Sequence, residues 1–222
     1  MSYTYSKSID NGSGTYGLDG GGIASNPFNV AYDRGLSNFN RTHNFHVSGT
    51  YYIPLKVNGM FGQVVNGWQL TGVFGYLSGA PANPTSATNR VFTGTGSNTG
   101  RPDFVAGCNL YSGFETLSDW FNTACFTLQP QGTYGNAGRD IIIGPNLWNL
   151  DNSLTKDFKV TKISERFKVQ FRAEAFNILN HPSFQNPNTT IFAGTALNAS
   201  AGKITATNSS PRQVQLALKI GF

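Results

Sequence analysis

Arg212-Gln213-Val214-Gln215-Leu216-Ala217-Leu218-Lys219-Ile220-Gly221-Phe222 ends the chain, and its reading decides the fold. Side chains alternate across a strand with period two, so Val214, Leu216, Leu218, Ile220 and Phe222 share one face. Gln213, Gln215, Ala217, Lys219 and Gly221 share the other. A strand crossing a bilayer at a tilt needs about 9–11 residues, with an apolar face to lipid and a polar face to the lumen. This segment has that length and that pattern.

Working back along the chain, the alternation recurs. Residues 167–177 set Phe167, Val169, Phe171, Ala173 and Ala175 against Lys168, Gln170, Arg172 and Glu174. Four charged or amide side chains on one face exclude a strand buried on both sides, because burying unpaired charge is costly. Residues 43–53 set Phe45, Val47, Gly49, Tyr51 and Ile53 against His46, Ser48, Thr50 and Tyr52. Weaker versions occupy 2–9, 67–77 and 147–157. The expected fold is all-β: an antiparallel up-and-down meander of about six amphipathic strands.

The connections alternate in length. Residues 10–42, 78–146 and 178–211 read as long, structureless, polar loops, whereas 54–66 and 158–166 are short. Transmembrane barrels of the outer membrane have long extracellular loops and short periplasmic turns. The chain therefore reads as one domain over residues 1–222, a sector of such a barrel, with both ends on the periplasmic side.

Composition is compatible with this. Charged residues make up only 12% of the chain, it carries 26 Gly and 17 Phe, and its formal charge is +5. No run of about 20 apolar residues exists to form a transmembrane helix. Met1 to Tyr5 has neither the charged nor the apolar region of a signal peptide. It reads as strand interior, so the chain is expected to begin partway through a larger protein.

Tyr3-Thr4-Tyr5-Ser6-Lys7-Ser8-Ile9-Asp10, Asp33-Arg34-Gly35, Arg41-Thr42-His43, Gly67-Trp68-Gln69-Leu70, Ser78-Gly79-Ala80-Pro81, Gly135-Asn136-Ala137-Gly138-Arg139 and Arg172-Ala173-Glu174-Ala175-Phe176-Asn177-Ile178-Leu179-Asn180-His181-Pro182 follow one another in this order. Together they resemble the C-terminal part of an Oar-like TonB-dependent outer-membrane transporter of the acidobacterial type, over essentially the whole chain. The resemblance implies a barrel of about twenty-two strands around a plug. It further implies a carboxypeptidase-regulatory-like N-terminal domain and a TonB box; none of these lies within these residues. The implied partners are outer-membrane lipid, the remaining strands and plug, the TonB complex through the missing N-terminal part, and a ligand that the sequence does not name. The last strand also resembles the signal read by the barrel-assembly machinery, with Gln215, Ala217, Ile220 and Phe222 in its places. Ala217 stands where glycine is usual, and Ile220 is aliphatic where an aromatic is common.

Cys108 and Cys125 are the only cysteines and share the longest loop, which favours a disulfide outside the cytoplasm. Enzymatic readings fail on spacing. His43 and His46 are three apart on a strand and so face opposite ways. Gly94 to Gly100 departs from the dinucleotide fingerprint, Gly17 to Gly22 lacks the Lys of a phosphate loop, and no nucleophile elbow is present. No catalytic activity, cofactor or metal is expected. Lys156, Lys159, Lys162, Arg166, Lys168 and Arg172 cluster, but around a turn and, on this reading, on the lumen side of its strands. That makes a solvated patch rather than a nucleic-acid surface. Aromatics fit two interfacial girdles: Tyr51, Trp68, Phe158, Phe167 and Phe222 at the periplasmic level, and Phe45, Tyr76 and Trp148 at the outer. The competing expectation is a secreted all-β carbohydrate-binding or adhesion module. A helix over 115–121, capped by Thr116 or Ser118, is the best candidate for helical structure.

Overall fold

The structure, a computed structural model, describes residues 1–13, 25–26, 28–59, 61–92, 100–159 and 168–221. Six strands form one sheet: β1 Ser2–Tyr5, β2 His43–Tyr52, β3 Trp68–Leu77, β4 Leu147–Lys159, β5 Lys168–Phe176 and β6 Gln213–Gly221. They pair in chain order, each antiparallel to the next. The all-β meander is therefore present, with each of the six strands within the stretch where the alternation predicts it, apart from small shifts at their ends and a shortened first strand.

Register turns the period-two pattern of single strands into two continuous faces. Phe45 stands opposite Tyr76, and Tyr76 opposite Trp148. Tyr51 stands opposite Leu70, Leu70 opposite Leu154, Leu154 opposite Ala173, and Ala173 opposite Leu216. All lie on one apolar face. Val214, Leu216, Leu218 and Ile220 are each more than half exposed there. A sandwich would cover such a face with a second sheet; among the described residues no second sheet lies over it.

The opposite face is wet. Gln170 Nε2 donates to Asp157 Oδ1 at 2.9 Å, Arg172 pairs with Glu174 at 3.3 Å, and Gln215 donates to Glu174. Thr50 and Thr71 bridge their hydroxyls at 3.0 Å. These are cross-strand or same-strand neighbours that solvate one another without a core.

Neither edge of the sheet is paired among the described residues, since β1 meets only β2 and β6 only β5. The first strand is shorter than the alternation over 2–9 predicts. After Tyr5 the pairing becomes irregular: Ser6 N donates to Thr42 O at 3.1 Å, and Ile9–Asp10 pairs with Gly35–Leu36 inside the first long loop.

The loops differ most from expectation. Phe121, Cys125, Phe126, Ala137, Ile142, Ile191 and Phe192 form a buried cluster, drawn entirely from the second and third long loops. None of the buried hydrophobics of the described residues belongs to the sheet. Short ribbons organise this cap: Pro81–Ala82 with Ile142–Ile143, Asp103–Phe104 with Phe126–Thr127, and Thr190–Ala193 with both Ala196–Leu197 and Thr85–Ser86. The last pairing is parallel, the one exception among the strand pairings of the described residues. Polar average composition conceals this core because its apolar residues are scattered singly among Gly, Asn and Thr and show no period. Residues 115–121 form a turn rather than the expected helix. Glu115 has φ of 73°, outside any right-handed helix, and Thr116 Oγ1 accepts from Asp119 N at 3.1 Å within the turn.

Candidate functional site at the long-loop end

Most of the sequence motifs that carried the resemblance meet at the end of the sheet from which the long loops rise; Gly67-Trp68-Gln69-Leu70 lies at the other end, where β3 begins. Asp33 and Arg101 pair at 3.0 Å, both buried, and the guanidinium lies 3.8 Å from the centroid of the Tyr32 ring. Arg139 pairs with Asp10 at 2.6 Å and with Asp140 at 3.3 Å, and donates to Asp33 O at 3.2 Å and Ser13 Oγ at 2.6 Å. Tyr32 OH donates to Gly135 O at 2.7 Å. Gly35 is needed because a Cβ there would stand 2.6 Å from Arg139 O.

These groups bind the first loop to the second. Burial pulls the Asp10 carboxyl toward a higher pKa, but hydrogen bonds from Ser37, Arg139 and Ser13 and the Arg139 charge outweigh it and hold the carboxyl below its ordinary value. Burial also pushes the Tyr32 phenol up, against the opposing charge of Arg101.

Arg41-Thr42-His43 and Ser78-Gly79-Ala80-Pro81 meet at the neck between sheet and cap. Arg41 Nη1 donates to Ser78 O at 2.8 Å, and His43 N to Ser78 Oγ at 3.1 Å. A Cβ on Gly79 would lie 1.8 Å from Gly144 O, so only glycine fits this crossing. The Asn177 to Pro182 stretch closes the third loop. Asn177, with φ of 49°, receives a bond from His181 N and donates to Ser210 O, while the His181 ring lies 3.7 Å from that of Trp148.

Two adjoining cavities open where the wet face meets the cap. One of about 320 Å³ is lined by Arg41, Leu147, Phe184, Gln185, Asn186 and Asn208 among others. The second, of about 250 Å³, lies on the wet face itself, walled by His46, Gly75, Leu77, Asn149 and again Leu147 and Asn208. The side chains of Gln185, Asn186, Asn208 and His46 have no hydrogen-bond partner among the described residues. Amides of this kind offer a donor and an acceptor each, and Arg41 adds a cation. The arrangement suits a polar, hydroxyl- or carbonyl-rich solute, with Phe184 as an apolar wall.

The residues singled out from sequence fall as follows. Cys108 and Cys125 are bonded, with Cα atoms 5.5 Å apart, and Cys125 is fully buried in the cap core. Gln215 and Ala217 lie on the wet face opposite Glu174 and Arg172, and Ile220 on the apolar face opposite Val169. Phe222, Phe167, Lys162, Arg166, Gly17 to Gly22 and most of Gly94 to Gly100 lie outside the described residues. His43 and His46 do face apart: His43 Nδ1 shares a 2.9 Å hydrogen bond with Tyr3 OH, and His46 turns to the cavity. Lys156 corrects the lumen assignment of the basic cluster. It stands opposite Trp68 and Phe171 and thus belongs to the apolar face, at 3% exposure. Its parity with Leu150, Leu154 and Phe158 was legible in the strand; grouping it with neighbouring charges hid it. The cavity amides carried no such signal, because loop residues have no period.

A family model described as the outer membrane beta barrel domain matches residues 1–215. Comparison with curated proteins and with solved structures returned no match. One apolar face over which no second sheet lies among the described residues, one wet face, long connections at one end of the sheet and this match over nearly the whole chain lead to a single assignment: the chain belongs to the outer membrane beta barrel domain family and resides in the outer membrane.

Proposed function

We propose that the chain forms part of the wall and outer mouth of a TonB-dependent transporter. The observation that carries this reading is the paired cavity at the mouth, where unpartnered amides and Arg41 stand directly above the wet face. Several of the sequence motifs support it, since Asp33, Arg139, Arg41, Ser78 and Asn177 are staples that hold the cap over that opening. The open edges, β1 and β6, pair with neighbouring strands of the complete barrel, and the pattern of Gln215, Ala217, Ile220 and Phe222 serves as a signal for the assembly machinery. A plug and a TonB-contacting segment reside elsewhere in the same protein. Transport on this reading begins with capture of a polar solute in the cap.

Planar-bilayer conductance and TonB cross-linking of the full-length protein test the proposal together. A plugged transporter is silent without TonB and cross-links to the periplasmic domain of TonB. A large steady conductance without cross-linking would identify an open pore and overturn the transporter reading.

A further inference from the structure

The connection between β2 and β3, residues 53–67, is short but built. Asn66 clasps Val57 twice: its Oδ1 accepts from Val57 N and its Nδ2 donates to Val57 O, both at 2.8 Å. Gly62 lies inside the clasp, where a Cβ would stand 2.1 Å from Val57 O. The enclosed segment carries one turn of helix, α1, over Gly62–Val65.

Carbonyls at the end of a helix have no partner within it. Here the sheet supplies them. Val64 O accepts from Trp68 Nε1 at 2.9 Å and from Lys156 Nζ at 2.9 Å, and Asn66 O accepts from Lys156 Nζ as well. Trp68 and Lys156 stand opposite each other on the apolar face. The connection is therefore folded back against the lipid-facing side of the sheet, not suspended below it.

Lys156 is held by two carbonyls and by the Trp68 and Phe158 rings, whose centroids lie 5.6 and 4.9 Å from its ammonium. A lysine on a lipid-facing wall is costly unless its charge finds such partners. What the fold-back leaves outermost is apolar: Phe61 is 79% exposed and Val64 57%, with Leu55 and Val57 beside them. This patch is continuous with the apolar face and level with Trp68, an aromatic of the interfacial girdle.

We propose that this connection is an interfacial membrane anchor. It lies in the headgroup layer of the inner leaflet against the barrel wall, with Phe61 and Val64 inserted toward the acyl chains. Lys156 is the positioning residue that pins it there. Exposed Lys56 suits the phosphates of that layer. Lipid is the occupant because the patch extends a face that already meets lipid.

The test uses the full-length protein folded into phosphatidylethanolamine–phosphatidylglycerol vesicles, with Phe61→Cys carrying an environment-sensitive fluorophore and Asn58→Cys as the comparison. Cys108 and Cys125 are bonded to each other and do not label, and any cysteine outside this chain is replaced by serine. The label at 61 is expected to emit as in an apolar setting and to be quenched by phospholipid brominated in its acyl chains, more strongly than at 58. Lys156→Met should abolish that difference while the barrel keeps its heat-modifiable migration on gels; Trp68→Phe, which keeps the ring but loses the indole bond, should reduce it. Quenching at 61 by aqueous iodide alone would overturn the anchor. So would apolar emission without lipid quenching, which means cover by protein, or unchanged quenching in both Lys156→Met and Trp68→Phe.

Discussion

Arg101 and Asp33, 68 residues apart in sequence, pair at 3.0 Å in the interior of the cap, and the same guanidinium donates to Tyr32 O at 2.6 Å. Removing one partner of a buried pair strands the other charge at a cost of about 3–5 kcal/mol. Arg101→Met should therefore loosen the first long loop against the second, leaving the contacts of Arg139 with Asp10 and of Tyr32 with Gly135 in place. Protease added outside whole cells is expected to cleave the first loop in this variant and spare it in the parent. The sheet draws nothing from the pair, so heat-modifiable migration should be unchanged.

Acid should loosen the neighbouring contact of Asp10 with Arg139. Its carboxyl titrates below the ordinary value of 3.8, so its contribution is complete above that value and disappears as pH falls through the lower folded one. Near-ultraviolet circular dichroism of the folded protein is expected to hold steady from neutral pH to the ordinary carboxylate range and to fall beneath it. Asp10→Asn should weaken the cap at neutral pH and remove this residue's share of the acid transition.

Reducing the Cys108–Cys125 bond should act on the cap alone. The bond closes a loop with a sequence separation of 17, worth about 3 kcal/mol in the chain-entropy treatment. Dithiothreitol is expected to lower the denaturant midpoint reported by a probe on the cap. A probe on β5 should not move.

The two faces of β5 predict opposite responses. Phe171 packs edge-on against Trp68, with centroids 5.9 Å apart; Phe171→Arg sets a charge against lipid at about 2–4 kcal/mol. Gln170→Arg should be nearly silent beside Lys168 and Arg172. In membranes, a cysteine at 170 should react with a water-soluble thiol reagent and one at 169 only with a lipid-soluble one. Equal labelling of both by the water-soluble reagent would contradict the assignment of the faces.

The sequence by itself determined the six strands, their faces and their order, because a strand that meets lipid on one side and water on the other must alternate at every step. Val214 to Ile220 and Val169 to Ala175 state that rule residue by residue. Even the true side of Lys156 was written in its parity. What only the tertiary structure decided is aperiodic. The cap core of Phe121, Phe126, Ile142 and Ile191 joins residues from two loops whose apolar positions follow no repeat, and the pairings of Arg101 with Asp33 and Arg139 with Asp10 span 68 and 129 residues. The fold-back of residues 53–67 onto the apolar face likewise depends on two carbonyls meeting Lys156 and Trp68. Alternation is a local consequence of backbone geometry and can be read along the chain. Close approach of distant segments is set by loop closure and side-chain fit, which no single stretch of sequence contains.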